Sequence, residues 1–358
     1  MSKRIAIIGG GFAGAGLARA LDDKAEITLI EQNTHFVHAP AMIRAAVEPS
    51  VLDRALVPYD KLLSRGRVVQ ARAQSLDETG VTLENGDRVE ADYIVVATGA
   101  SNALPFRPTE AGIKGLRDAN ARIHQQLQAA TRVAIVGAGP VGVELAGEIA
   151  HFMPEKSVTL VSSDPDLFGA FPPRLGRELL RKLKAAGVTV ILGTRAENLQ
   201  SLSEPYAGTL ALDNGQEIEA DLIFPAIGTR AKPELLEALP GAEKGRANRV
   251  KVDGWMRPSS LPNVFALGDV AEMGDAMTVV AITRQLPWLE KTFGALLEGK
   301  DLSAQKPYTP WDKAPILIPL GPFKGNSYLG LFTAGNLITR LMKGKDLFLT
   351  KYRKSLGF

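Results

Sequence analysis

Two glycine-rich turns, each between an apolar run and a helical pattern, constrain this chain more than any other feature. The first occurs in RIAIIGGGFAGAGLARAL, residues 4–21, and the second in RVAIVGAGPVGVELAGEIA, residues 132–150. In each, the apolar run predicts a strand, the glycines predict a turn, and the residues beyond have helical spacing. A strand that passes through such a turn into a helix opens a βαβ unit, whose free amides at the helix start can bind a pyrophosphate. The sequence therefore predicts an α/β protein with two Rossmann-like dinucleotide-binding domains.

Both turns have the GxGxxG spacing of dinucleotide-binding proteins. The first glycine allows the tight turn, the second lets the backbone approach the phosphates, and the third lets the helix pack closely against the strand. The residues that we expect to contact the nucleotide in the first unit are Gly9, Gly11, Phe12, Ala13 and Gly14. The residues that we expect to do so in the second unit are Gly137, Gly139, Pro140, Val141 and Gly142.

The segments that follow the two units repeat one pattern. Asn85-Gly86 in the first half and Asn214-Gly215 in the second half each predict the turn of a hairpin. Each half then closes with a strand that runs into a glycine, as expected where a strand end approaches a bound nucleotide. The residues at these strand ends are Thr98 and Gly99 in the first half and Gly228 in the second half.

Two carboxylates complete the predicted first nucleotide site. The second strand of the first unit ends in Glu31, which can accept hydrogen bonds from the hydroxyls of an adenosine ribose. A later stretch, NVFALGDVAEM, carries an apolar strand into Gly268 and Asp269. The carboxylate of Asp269 can reach a polyol or phosphate-linked chain that extends beyond the first nucleotide.

Composition excludes several kinds of chemistry. The 358 residues include no cysteine and four histidines, which excludes disulfides, thiolate metal sites, iron–sulfur clusters and redox dithiols. No metal-ligand spacing is present, so we expect no metal site. No secretory signal fits before the first strand, and no apolar run reaches the roughly 18 residues that a membrane helix needs. We therefore expect a cytoplasmic protein.

The C-terminal segment, residues 322–358, is basic, with seven lysines and arginines against the single acid Asp346. Leucine, phenylalanine, isoleucine and methionine are interspersed among these cations. One interpretation is a peripheral contact with the anionic inner face of a membrane, and the other is a last helix docked on the first domain. We expect no nucleic-acid binding, because few stacking aromatics and no known motif accompany the cations.

These motifs together resemble the two-dinucleotide-binding flavoprotein family, which includes glutathione reductase and the type II NADH:quinone oxidoreductases. The resemblance implies FAD on the first unit, NADH or NADPH on the second, and Asp269 on the ribityl chain of FAD. Family members that reduce disulfides, coenzyme A disulfide or sulfide need cysteines, which this chain lacks.

Three further stretches resemble a narrower branch, the apoptosis-inducing-factor-like proteins related to ferroptosis suppressor protein. They are THFVHAPAMIRAAVE (34–48), PEKSVTLVSS (154–163) and MKGKDLFLTKYRK (342–354). The branch resemblance implies that NAD(P)H reduces ubiquinone-like quinones through FAD. Two alternatives stay open: a redox-sensing binding protein of the apoptosis-inducing-factor type, and a ferredoxin or rubredoxin reductase.

The resemblance also implies a division of the chain into four parts. We expect the FAD-binding domain to comprise residues 1–108 and 241–306, the second part returning to the first. The NAD(P)H-binding domain would comprise residues 109–240. A small C-terminal domain with the basic tail would comprise residues 307–358.

Five residues are candidates for the chemistry beside the flavin. In the larger family a helix start points at the pyrimidine edge of the flavin, which favours Arg284 and Gln285 here. Glu144 occupies a position where related reductases pair a glutamate with a basic residue, and Arg44 is the predicted partner. His38 is a candidate proton relay, because quinone reduction takes up two protons and histidine carries protons near neutral pH.

The residue after the second strand of the second unit bears on the choice of coenzyme. Here Ser162 follows Val161 at the place where an acid would repel the 2′-phosphate of NADP. Serine does not repel that phosphate. The sequence therefore predicts that both NADH and NADPH are accepted.

Overall fold

The computed structural model describes residues 2–101, 103–108, 112–227 and 229–358, and this part of the chain forms two five-stranded sheets. All strands of the first sheet are parallel, in the order Val264–Ala266, Tyr93–Val96, Arg4–Ile8, Glu26–Glu31 and Arg67–Gln70. The strand of the first glycine turn is central, and helix Phe12–Leu21 follows it. Strand Val264–Ala266 comes late in the chain, so the first unit is completed by a distant segment.

The second sheet repeats this arrangement. Its order is Thr189–Ile191, Ser157–Val161, Arg132–Val136, Glu217–Pro225 and Tyr206–Ala211, with only the last pair antiparallel. Helix Pro140–Phe152 follows its central strand. The central strands are continuous apolar runs because neighbouring elements cover both of their faces. The predicted α/β fold with two dinucleotide-binding units is confirmed.

Both predicted hairpin turns are confirmed. Strands Gly80–Leu83 and Arg88–Glu90 pair antiparallel around Asn85-Gly86, with Gly86 at φ +86°. Strands Tyr206–Ala211 and Glu217–Pro225 do the same around the second turn. Strand Ala73–Asp77 pairs with Gly80–Leu83. Three short two-stranded pairs are His35–Val37 with Leu56–Pro58, Ala100–Ser101 with Arg230–Ala231, and Val250–Lys251 with Ala271–Glu272.

The other helices lie around the two sheets. The α-helices are Ala39–Ala45, Leu52–Ala55, Gly112–Ala129, Pro173–Lys184, Glu234–Glu237, Val279–Leu297, Asn336–Thr339 and Leu349–Ser355. The 3₁₀ turns are Pro49–Val51, Arg246–Asn248, Gly268–Val270 and Leu302–Ala304. Residues Arg340–Gly344 form a π-helical turn.

The C-terminal segment folds back onto both units. Strands Ile316–Leu320, Lys324–Tyr328 and Thr333–Ala334 form an antiparallel sheet that packs on helix Pro140–Phe152. The approach requires Gly147, because a Cβ there would lie 2.6 Å from the Cα of Leu320. Buried leucines then anchor the tail: Leu347, Leu349 and Leu356. The docked-helix interpretation of the tail is therefore confirmed for its last helix.

Among the described residues, no helix has the length and apolar character needed to cross a bilayer.

Candidate functional site

One cavity of about 420 Å³ lies between the first glycine turn, the start of the helix after the second turn and the C-terminal segment, while the glycines of the second turn do not line it. Such a volume is typical of small-molecule sites. Predicted residues of the first unit that line it are Gly11, Phe12, Ala13, Glu31, Thr98, Gly99, Gly268 and Asp269. Predicted residues of the second unit that line it are Pro140, Val141 and Glu144. Ile316, Leu317, Lys343, Phe348, Lys351 and Tyr352 close the cavity from the C-terminal side.

The first glycine turn has the shape that a pyrophosphate requires. A Cβ on Gly14 would lie 1.9 Å from the carbonyl oxygen of Gly9, so the helix packs closely only with glycine there. Gly9 itself has φ +102°, which permits the tight turn. A Cβ on Gly11 would meet no described atom within 4 Å, so this position faces open space. The helix start carries no side-chain cap in the described structure, which leaves its amides for an anion.

Glu31 is held in place at the end of its strand. Its Oε2 accepts the amide of Gly10 at 2.6 Å, and its Oε1 accepts the backbone and side-chain N–H groups of Asn33 at 2.8 Å. The Tyr59 hydroxyl donates to the carbonyl of Gly10 at 2.7 Å, and burial raises the pKa of this tyrosine. Tyr59 lines the cavity but has no signal in the sequence, because it lies outside the glycine motif.

Asp269 lines the same cavity, beside a cation that the sequence did not reveal. Nη2 of Arg107 lies 3.4 Å from the Asp269 carboxylate, and its Nη1 donates to the carbonyl of Ala100 at 2.7 Å. Thr98 donates its hydroxyl to the carbonyl of Lys232 at 2.7 Å, which ties this strand end to the second unit. Arg107 lies in an irregular segment, where spacing carries no information.

The helix Val279–Leu297 presents its start to the cavity, but not the two side chains predicted from the sequence. Thr278 caps this helix by accepting the amide of Ala281 at 3.2 Å, and residues 277–280 line the cavity. Arg284 instead donates to the carbonyl of Thr309 at 2.7 Å, outside the cavity lining. Gln285 is buried beneath the Gly268 turn. The prediction that either side chain contacts the flavin directly is therefore not supported by this geometry.

Glu144 forms a buried ion pair, but with a different partner from the predicted one. Nζ of Lys343 lies 2.6 Å from Oε1 of Glu144, and both side chains are almost inaccessible. Arg44 pairs instead with Glu148, at 2.8 and 2.9 Å, one helical turn further along. Its remaining bond, at 2.8 Å, goes to the carbonyl of Gly344. The predicted Glu144–Arg44 pair is wrong because Lys343, distant in sequence, occupies the position opposite Glu144.

Burial and the neighbouring positive charge change the pKa of Glu144 in opposite directions. Burial raises the pKa of its carboxyl, and the nearby Lys343 ammonium partly counteracts that rise. Burial likewise raises the pKa of Glu148, against the effect of Arg44. One lysine and one arginine therefore offset the cost of burying two carboxylates on one face of this helix.

His38 lies behind the cavity wall rather than on it. It is buried beside Phe12 and Tyr352, whose ring centroids lie 5.4 and 5.2 Å from its own. Its Nε2 bonds the carbonyl of Leu347 at 2.6 Å, and burial lowers its pKa to about 4. A histidine with that pKa is neutral at pH 7. This geometry does not support the predicted proton relay.

The second glycine turn repeats the first. A Cβ on Gly142 would lie 1.9 Å from the carbonyl oxygen of Gly137, while Gly139 faces open space among the described residues. Ser162 is buried at the end of its strand, and its Oγ accepts the amide of Asp164 at 3.2 Å. Gly228, predicted to close this half, lies outside the described residues.

No cluster of three or more possible metal ligands occurs in the part of the chain that the structure describes.

Comparisons with known proteins agree with this geometry. Residues 3–285 match the family model described as pyridine nucleotide-disulphide oxidoreductase. The chain is 30% identical to apoptosis-inducing factor homolog A of Dictyostelium discoideum, over 98% of this chain and 91% of the relative. It is 26% identical to ferroptosis suppressor protein 1 of Xenopus tropicalis, over 99% of this chain and 96% of the relative.

The fold is also similar to that of a solved structure. The sulfide:quinone oxidoreductase of Aquifex aeolicus superimposes with a TM-score of 0.78 at 17% identity, over 99% of this chain and 90% of that one. The predicted family and its cofactors are confirmed. The chain belongs to the pyridine nucleotide-disulphide oxidoreductase family, in its apoptosis-inducing-factor-like branch, and is an FAD-dependent NAD(P)H oxidoreductase.

Proposed function

We propose that this oxidoreductase reduces a quinone. FAD, when bound, supplies the two-electron chemistry that links NAD(P)H to the acceptor. With no cysteine in the chain, no dithiol can relay electrons, so the acceptor must reach the flavin itself. The cavity wall formed by Pro315, Ile316, Leu317 and Phe348 suits an apolar, planar molecule.

The observation that best supports this proposal is the position of Lys343, which lines the cavity among these apolar residues. An ammonium has three hydrogens to donate. Nζ of Lys343 contacts Glu144 at 2.6 Å and the carbonyl of Leu317 at 3.2 Å, which leaves a third hydrogen for a substrate among the described contacts. A quinone carbonyl that gains electrons becomes a stronger acceptor, and a fixed cation in a desolvated site stabilises that negative charge.

We assign the cofactors to the two units on the same geometry. FAD would bind the first glycine turn, with Glu31 at its adenosine ribose and Asp269 at its ribityl chain. NAD(P)H would bind the second turn, at Gly137, Gly139 and Gly142. On this assignment, residues 1–108 and 241–306 form the FAD-binding domain, and residues 109–240 form the NAD(P)H-binding domain. Residues 307–358 form the C-terminal domain.

We also propose that the C-terminal domain contacts a lipid surface, where long-chain quinones reside. Its exposed apolar patch consists of Phe323, Leu331, Phe332, Leu337, Ile338, Leu341 and Met342. Leu331 is 95% exposed, and Leu337 and Leu341 are each 69% exposed, which is unusual for leucine. Arg340 and Lys345 add positive charge beside the patch. Apolar side chains flanked by cations suit an anionic bilayer surface better than an acidic soluble protein.

The experiment that tests the quinone proposal is steady-state oxidation of NADH and NADPH with a panel of acceptors. The panel contains short-chain quinones, long-chain quinones and a ferredoxin. We expect quinones to support turnover, and Lys343→Met to lower quinone turnover at least tenfold. The control Lys354→Met changes an exposed lysine of the same tail and should leave turnover unchanged. Turnover with the ferredoxin but not with quinones would contradict the proposal.

A further inference from the structure

A buried hydrogen-bond chain connects the Gly268–Asp269 turn to the long helix through two side chains. Gln285 is 1% exposed and Asp275 is 4% exposed. Oε1 of Gln285 accepts the amide of Gly268 at 3.2 Å, and its Nε2 donates to Oδ2 of Asp275 at 3.0 Å. Gly268 has φ +79° and directly precedes Asp269, which lines the cavity.

Further donors hold the Asp275 carboxylate in place. The Tyr308 hydroxyl donates to Oδ2, and the amide of Trp311 donates to Oδ1 at 3.0 Å. Burial and this carboxylate together raise the pKa of Tyr308, so the hydroxyl keeps its proton. Arg249 donates to the backbone carbonyls of Asp275, at 2.8 Å, and of Ala271. The carboxylate therefore joins the loop after the turn, the long helix and the segment near residue 310.

The chemistry of these groups fixes which atom donates and which accepts at each step of the hydrogen-bond chain. A primary amide is both donor and acceptor, and either orientation of the Gln285 side chain would fill the same space. The carboxylate oxygens of Asp275 accept from the donors around them, so Asp275 faces the NH₂ group of Gln285. The oxygen of Gln285 then faces Gly268, where an N–H group needs an acceptor.

We propose that Asp275, acting through Gln285, positions the Gly268–Asp269 turn for FAD. Gly268 and Asp269 of the turn and residues 277–280 at the helix start all line the cavity. The inference rests on the proposed placement of FAD in that cavity. The hydrogen-bond chain holds both elements at one fixed separation. Asp275 is thus a positioning residue, and its role is independent of which molecule accepts the electrons.

The test measures FAD release from purified holoprotein, followed by the rise in flavin fluorescence after dilution. Asp275→Asn places an NH₂ group against at least one of the three donors that the carboxylate now accepts, and should speed FAD release about tenfold, the effect of losing about one buried hydrogen bond. The double variant Asp275→Asn/Gln285→Glu reverses the donor and acceptor roles, and its glutamate still accepts from Gly268. We expect that variant to release FAD within about threefold of the original rate.

Two controls separate positioning from general stability. Glu290→Gln changes an exposed residue of the same helix, paired with Lys24, and should not alter release. The visible circular dichroism of the flavin, which reports its asymmetric surroundings, should change in Asp275→Asn and return in the double variant. A purely structural role would lower the unfolding temperature without that change and return.

Original release rates in Asp275→Asn, or a double variant no better than the single one, would overturn the proposal. If Asp275→Asn does not fold, Tyr308→Phe provides the second test, because it removes one donor to the carboxylate and keeps Gln285. We expect Tyr308→Phe to speed FAD release about threefold. An unchanged rate in that variant would overturn the proposal.

Discussion

Lys343 and Glu144 are 199 positions apart in the chain, yet their side chains meet at 2.6 Å inside the cavity wall. Glu144 belongs to the first helix of the second nucleotide-binding unit, and Lys343 belongs to the π-helical turn of the C-terminal segment. The C-terminal segment therefore supplies part of the site, besides covering it. Removing residues 342–358 would remove two cavity-lining lysines, Lys343 and Lys351, and three buried leucines.

We expect Lys343→Met to destabilise the protein by about 3 kcal/mol, because it leaves a buried carboxylate without its cation. The double variant Lys343→Met/Glu144→Gln should recover part of that loss, since no unpaired charge remains. Urea unfolding measures both free energies. Lys114→Met, at an exposed pair with Asp118, is the control and should change stability by less than about 1 kcal/mol. A loss in Lys343→Met no larger than in this control would contradict the buried pair.

Ser162→Glu should shift the coenzyme preference towards NADH. A carboxylate at the end of this strand repels the 2′-phosphate of NADPH and accepts hydrogen bonds from the ribose of NADH. In the unaltered protein we expect less than about a hundredfold preference between the two coenzymes. The ratio of kcat/KM for NADH and NADPH measures the shift, and Ser163→Ala controls for the neighbouring hydroxyl. An unchanged ratio in Ser162→Glu would show that the selecting contacts lie elsewhere.

The proposed lipid contact can be tested by substitutions in the exposed apolar patch at residues that do not line the cavity. Leu337→Gln/Leu341→Gln should weaken binding to anionic liposomes and slow reduction of a long-chain quinone in them. A short-chain, water-soluble quinone should be reduced at the original rate, because both leucines point away from the core. Binding of the original protein should weaken as salt rises. Equal liposome binding by the variant and the original protein would contradict the proposed lipid contact.

His38 makes stability depend on pH in a defined direction. Its pKa is about 4 in the folded protein against an ordinary value of 6.5, so the folded state binds fewer protons between these two values. Stability from this group is fully present above pH 6.5 and is lost as pH falls through 4, by about 3 kcal/mol in all. His38→Gln should therefore lose less stability than the original protein on acidification from pH 7 to 4. His124→Gln is the matched control, and equal slopes in all three proteins would contradict this account.

The fold and the two glycine turns were predictable because their signals are local. The spacing of Gly9, Gly11 and Gly14 fixes a turn within one short stretch, and Glu31 follows at the end of the adjacent strand. The close contact of Gly14 with Gly9 shows why this spacing carries so much information. A hairpin such as that at Asn85-Gly86 is predictable for the same reason.

The contacts of Glu144 and Gln285 were less predictable because their partners come from distant segments. Glu144 was identified, but its partner Lys343 depends on how the tail folds back, which periodicity does not encode. Gln285 was identified on the correct helix, yet its side chain bonds to Gly268 rather than lining the cavity. Local patterns locate a helix along the chain more readily than they specify which neighbour each of its side chains meets.

The most direct test of quinone reduction is the rate at which quinone reoxidises the flavin of this protein after anaerobic reduction with one equivalent of NADH. Rapid mixing with a short-chain quinone, followed by flavin absorbance, measures this rate directly. We expect the oxidised spectrum to return at least as fast as steady-state turnover, and Lys343→Met to slow that return at least tenfold. A reduced flavin that persists in the presence of excess quinone would contradict the proposed reaction and favour a redox-sensing protein.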